Sequence, residues 1–220
     1  MDKFKNWLLN NISLHNHDNS REEFVNGLTH LVGIILSIIG IVFLILKETT
    51  TPHFKGATIV YGSTMLLLFT ASTVYHWLHD PILKRIGRVL DHCNIYLLIA
   101  GTYTPLAIYL GGKMGVFILV IEWSLTILGI IFTLKFWGRL KFLHIFFYLL
   151  MGWMVVLMWG DFVKLVPVEL ARFIFGGGIF YTVGVIIYSL KKVPFYHGIW
   201  HVFVVLGALS MYFGIYRYLS

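Results

Sequence analysis

The chain has 220 residues, of which 58 % are hydrophobic and only 12 % charged, with a formal charge of +7. Soluble domains carry roughly 25 % charged residues, so a water-facing sphere is excluded and lipid must solvate most of the exterior. The basic excess then belongs to loops and anionic headgroups, and no nucleic-acid partner is expected.

The first 25 residues are polar and lack the early apolar run of a cleaved signal peptide. Within them Phe4, Leu8 and Ile12 are four apart and share a face. That spacing suits a short helix lying on the membrane, with a disordered tail as the alternative. His15 and His17 read as solvated histidines. This tail, residues 1–25, precedes a single transmembrane domain over 26–220.

Seven apolar runs follow, at 28–46, 57–78, 86–110, 115–134, 142–159, 173–190 and 196–216. Each is near the roughly 20 residues that cross a hydrocarbon core of about 30 Å. Continuous apolar runs in lipid must be helices, because the backbone has no other local way to satisfy itself. The expectation is an all-α seven-transmembrane helix bundle. Its connections are short and carry turn chemistry, such as His79-Asp80-Pro81 and Gly111-Gly112. In the sixth run, Gly176-Gly177-Gly178 and Gly184 predict close approach of a neighbouring helix.

With the N-terminus inside, eleven Lys and Arg residues fall on inner segments, among them Lys84, Arg85, Arg88, Lys135, Arg139 and Lys141. Six fall outside: Lys47, Lys55, Lys113, Lys164, Arg172 and Arg217. The bias favours a cytoplasmic N-terminus and a C-terminus outside.

Polar residues within the membrane are expensive and are functional candidates by default. The first helix begins with Glu22, Glu23, Asn26 and His30, and the second ends on Ser72, His76 and His79. The third starts near Asp91-His92, and the seventh starts with His197 and His201. Alternating direction puts all four groups in one leaflet, whichever way the protein is inserted.

Histidines at i and i+4 present two imidazoles on one helix face. A third from another helix completes an open three-His site that suits zinc and leaves a fourth position for water. His76, His197 and His201 are the ligand set. Asp91 is a candidate base or a carboxylate that orients the water, and Ser72 is a candidate hydrogen-bond donor. The plainer readings are helix–helix hydrogen bonding by the histidines and an Asp91–Arg88 ion pair. Glu22 and Glu23 also suit the dipole at a helix start. His30, His79, His92 and His144 read as packing or interface residues. Glu122 stands apart from the group, within the fourth run.

Four segments together resemble the bacterial haemolysin III family, which groups with the progestin and adipoQ receptors and, more distantly, the alkaline ceramidases. They are Glu-Phe-Val-Asn-Gly-Leu-Thr-His (23–30), Ser72-x-x-x-His76, Leu-Asp-His (90–92) with Ile-Ala-Gly-Thr-Tyr-Thr-Pro (99–105), and His197-x-x-x-His201. The resemblance implies seven helices with the N-terminus inside. It implies zinc near the cytoplasmic side, held by His76, His197 and His201, with Ser72 and Asp91 lining the site. It links eukaryotic members to ceramide amide hydrolysis and the bacterial branch to cytolysis.

Three functions stay open on this footing. One is a zinc-dependent hydrolase of a lipid-like amide or ester, with membrane lipid as partner and substrate. Another is a pore-forming cytolysin, although the outer halves of the runs offer almost no polar lining apart from Glu122. The last is a regulator of membrane lipid homeostasis stabilised by zinc. Neither substrate nor oligomeric state follows from the sequence.

Overall fold

The computed structural model describes residues 2–14, 19–49, 51–137 and 141–219. His15, His17 and Arg139 lie outside them. Among the described residues every regular element is an α-helix: α1 (Asp2–Asn11), α2 (Ser20–Leu46), α3 (Pro52–Trp77), α4 (Pro81–Leu110), α5 (Gly112–Lys135), α6 (Lys141–Gly152), α7 (Met154–Leu157), α8 (Trp159–Leu165), α9 (Val168–Ser189) and α10 (Tyr196–Tyr218).

Six of these, α2, α3, α4, α5, α9 and α10, are long and apolar enough to cross a membrane. Several begin earlier than the apolar runs because local chemistry starts them. Asn19 accepts hydrogen bonds from the N–H groups of Arg21 (2.9 Å) and Glu22 (3.0 Å), and Glu22 accepts from the Asn19 N–H (3.3 Å). This reciprocal capping box satisfies donors that a helix start leaves orphaned. Asp80 caps α4 through Ile82 and Leu83, with Pro81 in the first turn. Gly111 and Gly112 make the sharp turn into α5 with φ of 61° and 53°, a region that favours glycine.

The fifth apolar run differs from expectation. Residues 142–159 do not form one continuous helix but a helix broken at Trp153 and again at Met158. The first break has a visible cause in α4. The Tyr103 hydroxyl donates to the Gly152 carbonyl (3.1 Å) and accepts the Val155 N–H (3.0 Å). A side chain inserted into the ladder is a known cause of helix breaks, and freed backbone groups in a membrane must be re-satisfied by protein.

The bundle packs α3 against both α2 and α4, α5 against α4, and α9 against α10. The α9–α10 contact is close where the sequence predicts it. A Cβ on Gly177 would lie 2.8 Å from Met211, and one on Gly184 would lie 2.5 Å from the Trp200 ring. Gly178 faces Trp153 instead.

The N-terminal helix α1 docks on α4. Leu8 and Ile12 are 2 % and 0 % exposed and pack with Val89 and Cys93, while Phe4 is 60 % exposed. Arg85 donates from Nε to the Ile12 carbonyl at 2.9 Å, and Arg88 donates to the Ser13 carbonyl. The three-residue apolar face is therefore divided: two members cover α4 and one stays outside.

Candidate metal centre

The starts of α2, α4 and α10 and the end of α3 meet at one end of the bundle. The α3 terminus carries Ser72 and His76 one turn apart, and the first turns of α10 carry His197 and His201. All four are buried. The three imidazoles form a near-equilateral cluster: ring centroids are 4.8 Å apart for His76–His197, 5.0 Å for His76–His201 and 4.7 Å for His197–His201. One ring nitrogen from each lies within 4.8 Å of the others. Tetrahedral zinc with nitrogen ligands at 2.0–2.1 Å brings nitrogens to about 3.4 Å, so small ring movements suffice to close the triangle.

Hydrogen bonds decide which nitrogens face inward. His76 Nδ1 lies 3.0 Å from Glu23 Oε2. An ionised carboxylate only accepts, so Nδ1 carries the proton and Nε2 keeps its lone pair. That Nε2 is buried and makes no hydrogen bond. An orphaned acceptor in a dry interior is costly, and a metal ion there would satisfy it. His201 Nδ1 lies 3.0 Å from the Asn26 carbonyl, which again makes Nδ1 the donor and leaves Nε2 for the cluster. Thr29 Oγ1 sits 3.3 Å from the same Nδ1 while donating to the Asn26 carbonyl at 2.8 Å. The donor set, and the tautomers of His76 and His201, fit a metal ion held by His76, His197 and His201.

Asp91 and Ser72 lie beside this triangle. Both are buried, and Ser72 and His197 are each within electrostatic range of the Asp91 carboxyl. Ser72 Oγ is buried and has no hydrogen bond of ordinary geometry. Asp91 Oδ2 is 4.0 Å from His92 Nδ1, which is also 3.0 Å from the Arg88 carbonyl. Arg88 reaches the Ser13 carbonyl and lies over the Trp137 ring at 5.4 Å.

The remaining candidates separate clearly. His30 is buried and stacks on His201 with centroids 3.7 Å apart and planes 13° off parallel, and its two ring nitrogens make no hydrogen bond. His79 is exposed in the α3–α4 turn. His144 belongs to another cluster, 3.3 Å from the Tyr96 hydroxyl and 3.4 Å from that of Thr133. Glu122 is fully buried in α5, and neither carboxyl oxygen makes a hydrogen bond.

Two participants escaped the sequence reading. Glu23 bonds His76, and Lys84 donates to the same Glu23 oxygen (2.9 Å) and to the His76 carbonyl (3.2 Å). The available signal was the spacing of Glu23, Asn26 and His30 at i, i+3 and i+7, which places them on one face of α2.

Residues 19–212 match the family described as haemolysin-III related. The chain is 40 % identical over 205 residues to the "Hemolysin-3 homolog" of Bacillus subtilis (strain 168), covering 90 % of this chain and 94 % of that protein. It is 39 % identical over 201 residues to "Hemolysin-3" of Bacillus cereus, covering 90 % and 92 %. A more distant likeness, 28 % over 206 residues, is to the human "Monocyte to macrophage differentiation factor", covering 90 % and 84 %. With a family match running from the α2 cap well into α10, and six apolar helices long enough to span a bilayer, the chain belongs to the haemolysin-III-related family of multi-pass membrane proteins.

Proposed function

We propose that the chain is a zinc-dependent hydrolase of a lipid-like amide or ester, seated in the cell membrane with its metal site toward the cytoplasmic leaflet. The observation that carries this reading is the convergence of three buried imidazoles with the Ser72–Asp91 pair beside them. A purely structural site needs no carboxyl and hydroxyl next to the ligands, whereas hydrolysis needs a base and an oxyanion donor.

Zinc held by His76, His197 and His201 would supply Lewis-acid polarisation of a carbonyl and lower the pKa of water toward about 7. The protein's own groups do the rest. Asp91 takes the proton from the attacking water and delivers it to the leaving group. Ser72 donates a hydrogen bond from its hydroxyl to the carbonyl oxygen as negative charge builds there. The dry surroundings strengthen both interactions. The substrate enters sideways from the inner leaflet, because the site lies at the helix ends. In this reading α6, α7 and α8 together make the fifth of seven crossings, which puts the termini on opposite sides, and the Lys and Arg bias puts the N-terminus inside and the C-terminus outside.

The test is lipid-product analysis of cells expressing wild type or Asp91→Ala, paired with zinc content of the purified proteins. Loss of one lipid product with zinc retained supports catalysis. Unchanged lipids, with zinc present in both, would leave a structural zinc and overturn the hydrolase. The name of the Bacillus cereus relative favours a second reading, cytolysis. That reading requires dye release from lipid vesicles at high protein density, and tight vesicles would count against it.

A further inference from the structure

We infer that the first three turns of α2 form the outer shell of the metal site, and that Glu23 is the positioning residue that sets how tightly the site holds its ion. This inference rests on the zinc-site reading and extends it to residues that do not touch the metal.

The ligands come from α3 and α10, but their supports come from α2. Glu23 Oε2 accepts the His76 Nδ1 proton at 3.0 Å. The Asn26 carbonyl accepts the His201 Nδ1 proton at 3.0 Å, with Thr29 Oγ1 at 3.3 Å. His30 lies flat on the His201 ring at 3.7 Å. Glu22 Oε1 accepts the Phe195 N–H at 3.2 Å. Phe195 is the left-handed residue (φ 55°) that starts α10, so this bond fixes the entry of the helix that carries two ligands. Five successive contacts thus run from one helix to ligands or to the element that holds them.

An ordinary interfacial ion pair does not account for Glu23. Lys84 already gives it a partner at 2.9 Å, close to water, with both side chains about one-sixth exposed (16 % and 17 %). The same Oε2 is nevertheless shared with the fully buried His76 ring. Sharing one oxygen orients the carboxylate between Lys84 outside and His76 inside. Lys84 also holds the His76 carbonyl at 3.2 Å, so it fixes the backbone of the residue whose ring Glu23 aims. A carboxylate on the far nitrogen of a metal-bound histidine locks its tautomer, fixes its ring and raises its basicity.

The test uses the purified full-length chain, with metal affinity read by chelator competition and the cobalt-substituted site read by its visible absorption. Glu23→Ala is expected to weaken zinc or cobalt binding by about 10–100-fold and to shift the cobalt spectrum. Glu23→Gln, which keeps an oxygen acceptor but loses the charge, is expected to fall between wild type and Glu23→Ala. It also carries the test if Glu23→Ala fails to fold. Tyr103→Phe, at the remote α6–α7 break, controls for stability and should lower the thermal midpoint without moving the cobalt spectrum. Wild-type metal binding with Glu23→Gln unchanged in both affinity and spectrum would overturn this inference alone. A wild type that binds no metal would overturn it together with the zinc-site reading.

Discussion

At the scale of single residues, the three-histidine cluster was legible and its support was not. His76, His197 and His201 could be read from residue type, one-turn spacing and position at the helix ends. Glu23 could not, because two adjacent acids at a helix start are what the dipole alone would favour. Only the packing of α2 on α3 separates them: Glu22 turns to its cap and to α10, and Glu23 turns to His76. The sequence assigns His30 to packing, and its ring stacks on that of His201, a proposed ligand. His30→Phe keeps the aromatic stack and removes two unpartnered nitrogens. It is therefore expected to retain zinc at the wild-type stoichiometry and to change stability by less than about 1.5 kcal/mol. Metal analysis and a thermal melt check this, and loss of zinc in His30→Phe would make His30 a ligand. A second residue-scale expectation concerns Tyr61, whose buried hydroxyl donates to the Ala208 carbonyl at 3.0 Å between α3 and α10. Tyr61→Phe should cost about 0.6–1.5 kcal/mol, measured by reversible unfolding in mixed micelles.

At the scale of elements, the six long helices follow from apolar length, and the extended starts of α2, α3 and α4 follow from side-chain caps that lie outside the apolar runs. The broken fifth segment was illegible for a physical reason. No proline sits in residues 142–159, and Gly152 alone does not dictate a break. The determinant is Tyr103, some 50 positions earlier in the chain, whose hydroxyl takes up the Gly152 carbonyl and the Val155 N–H. Tyr103→Phe leaves a buried N–H without its partner and is expected to destabilise by about 1–3 kcal/mol. Restoration of a continuous helix in a structure of that variant, at no loss of stability, would contradict the assigned cause. The capping box makes a parallel prediction. Asn19→Ala should cost about 0.5–2 kcal/mol, and amide hydrogen exchange should locate the loosening in the first turn of α2.

At the scale of the whole molecule, alternating direction was enough to bring four polar groups to one end without any knowledge of contacts. The starts of α2, α4 and α10 and the end of α3 do meet there, and Ser72, His76, Asp91, His197 and His201 share that end. What the alternation could not supply is the number of crossings, since α6, α7 and α8 are each short. An odd count puts the termini on opposite sides, an even count on the same side. The proposed seven crossings predict that alkaline phosphatase fused after the C-terminus is active outside the cytoplasm, while a fluorescent protein fused at the N-terminus is bright inside. Two termini on one side would reject the seven-crossing arrangement.

The central claim is that the converging imidazoles hold a metal ion. Its most direct test is elemental analysis of the purified protein, wild type against His197→Ala combined with His201→Ala. The account predicts about one zinc ion per wild-type chain and loss of that zinc in the double variant, with the fold retained by circular dichroism. Equal zinc in both proteins, or none in the wild type after zinc supplementation, would contradict it.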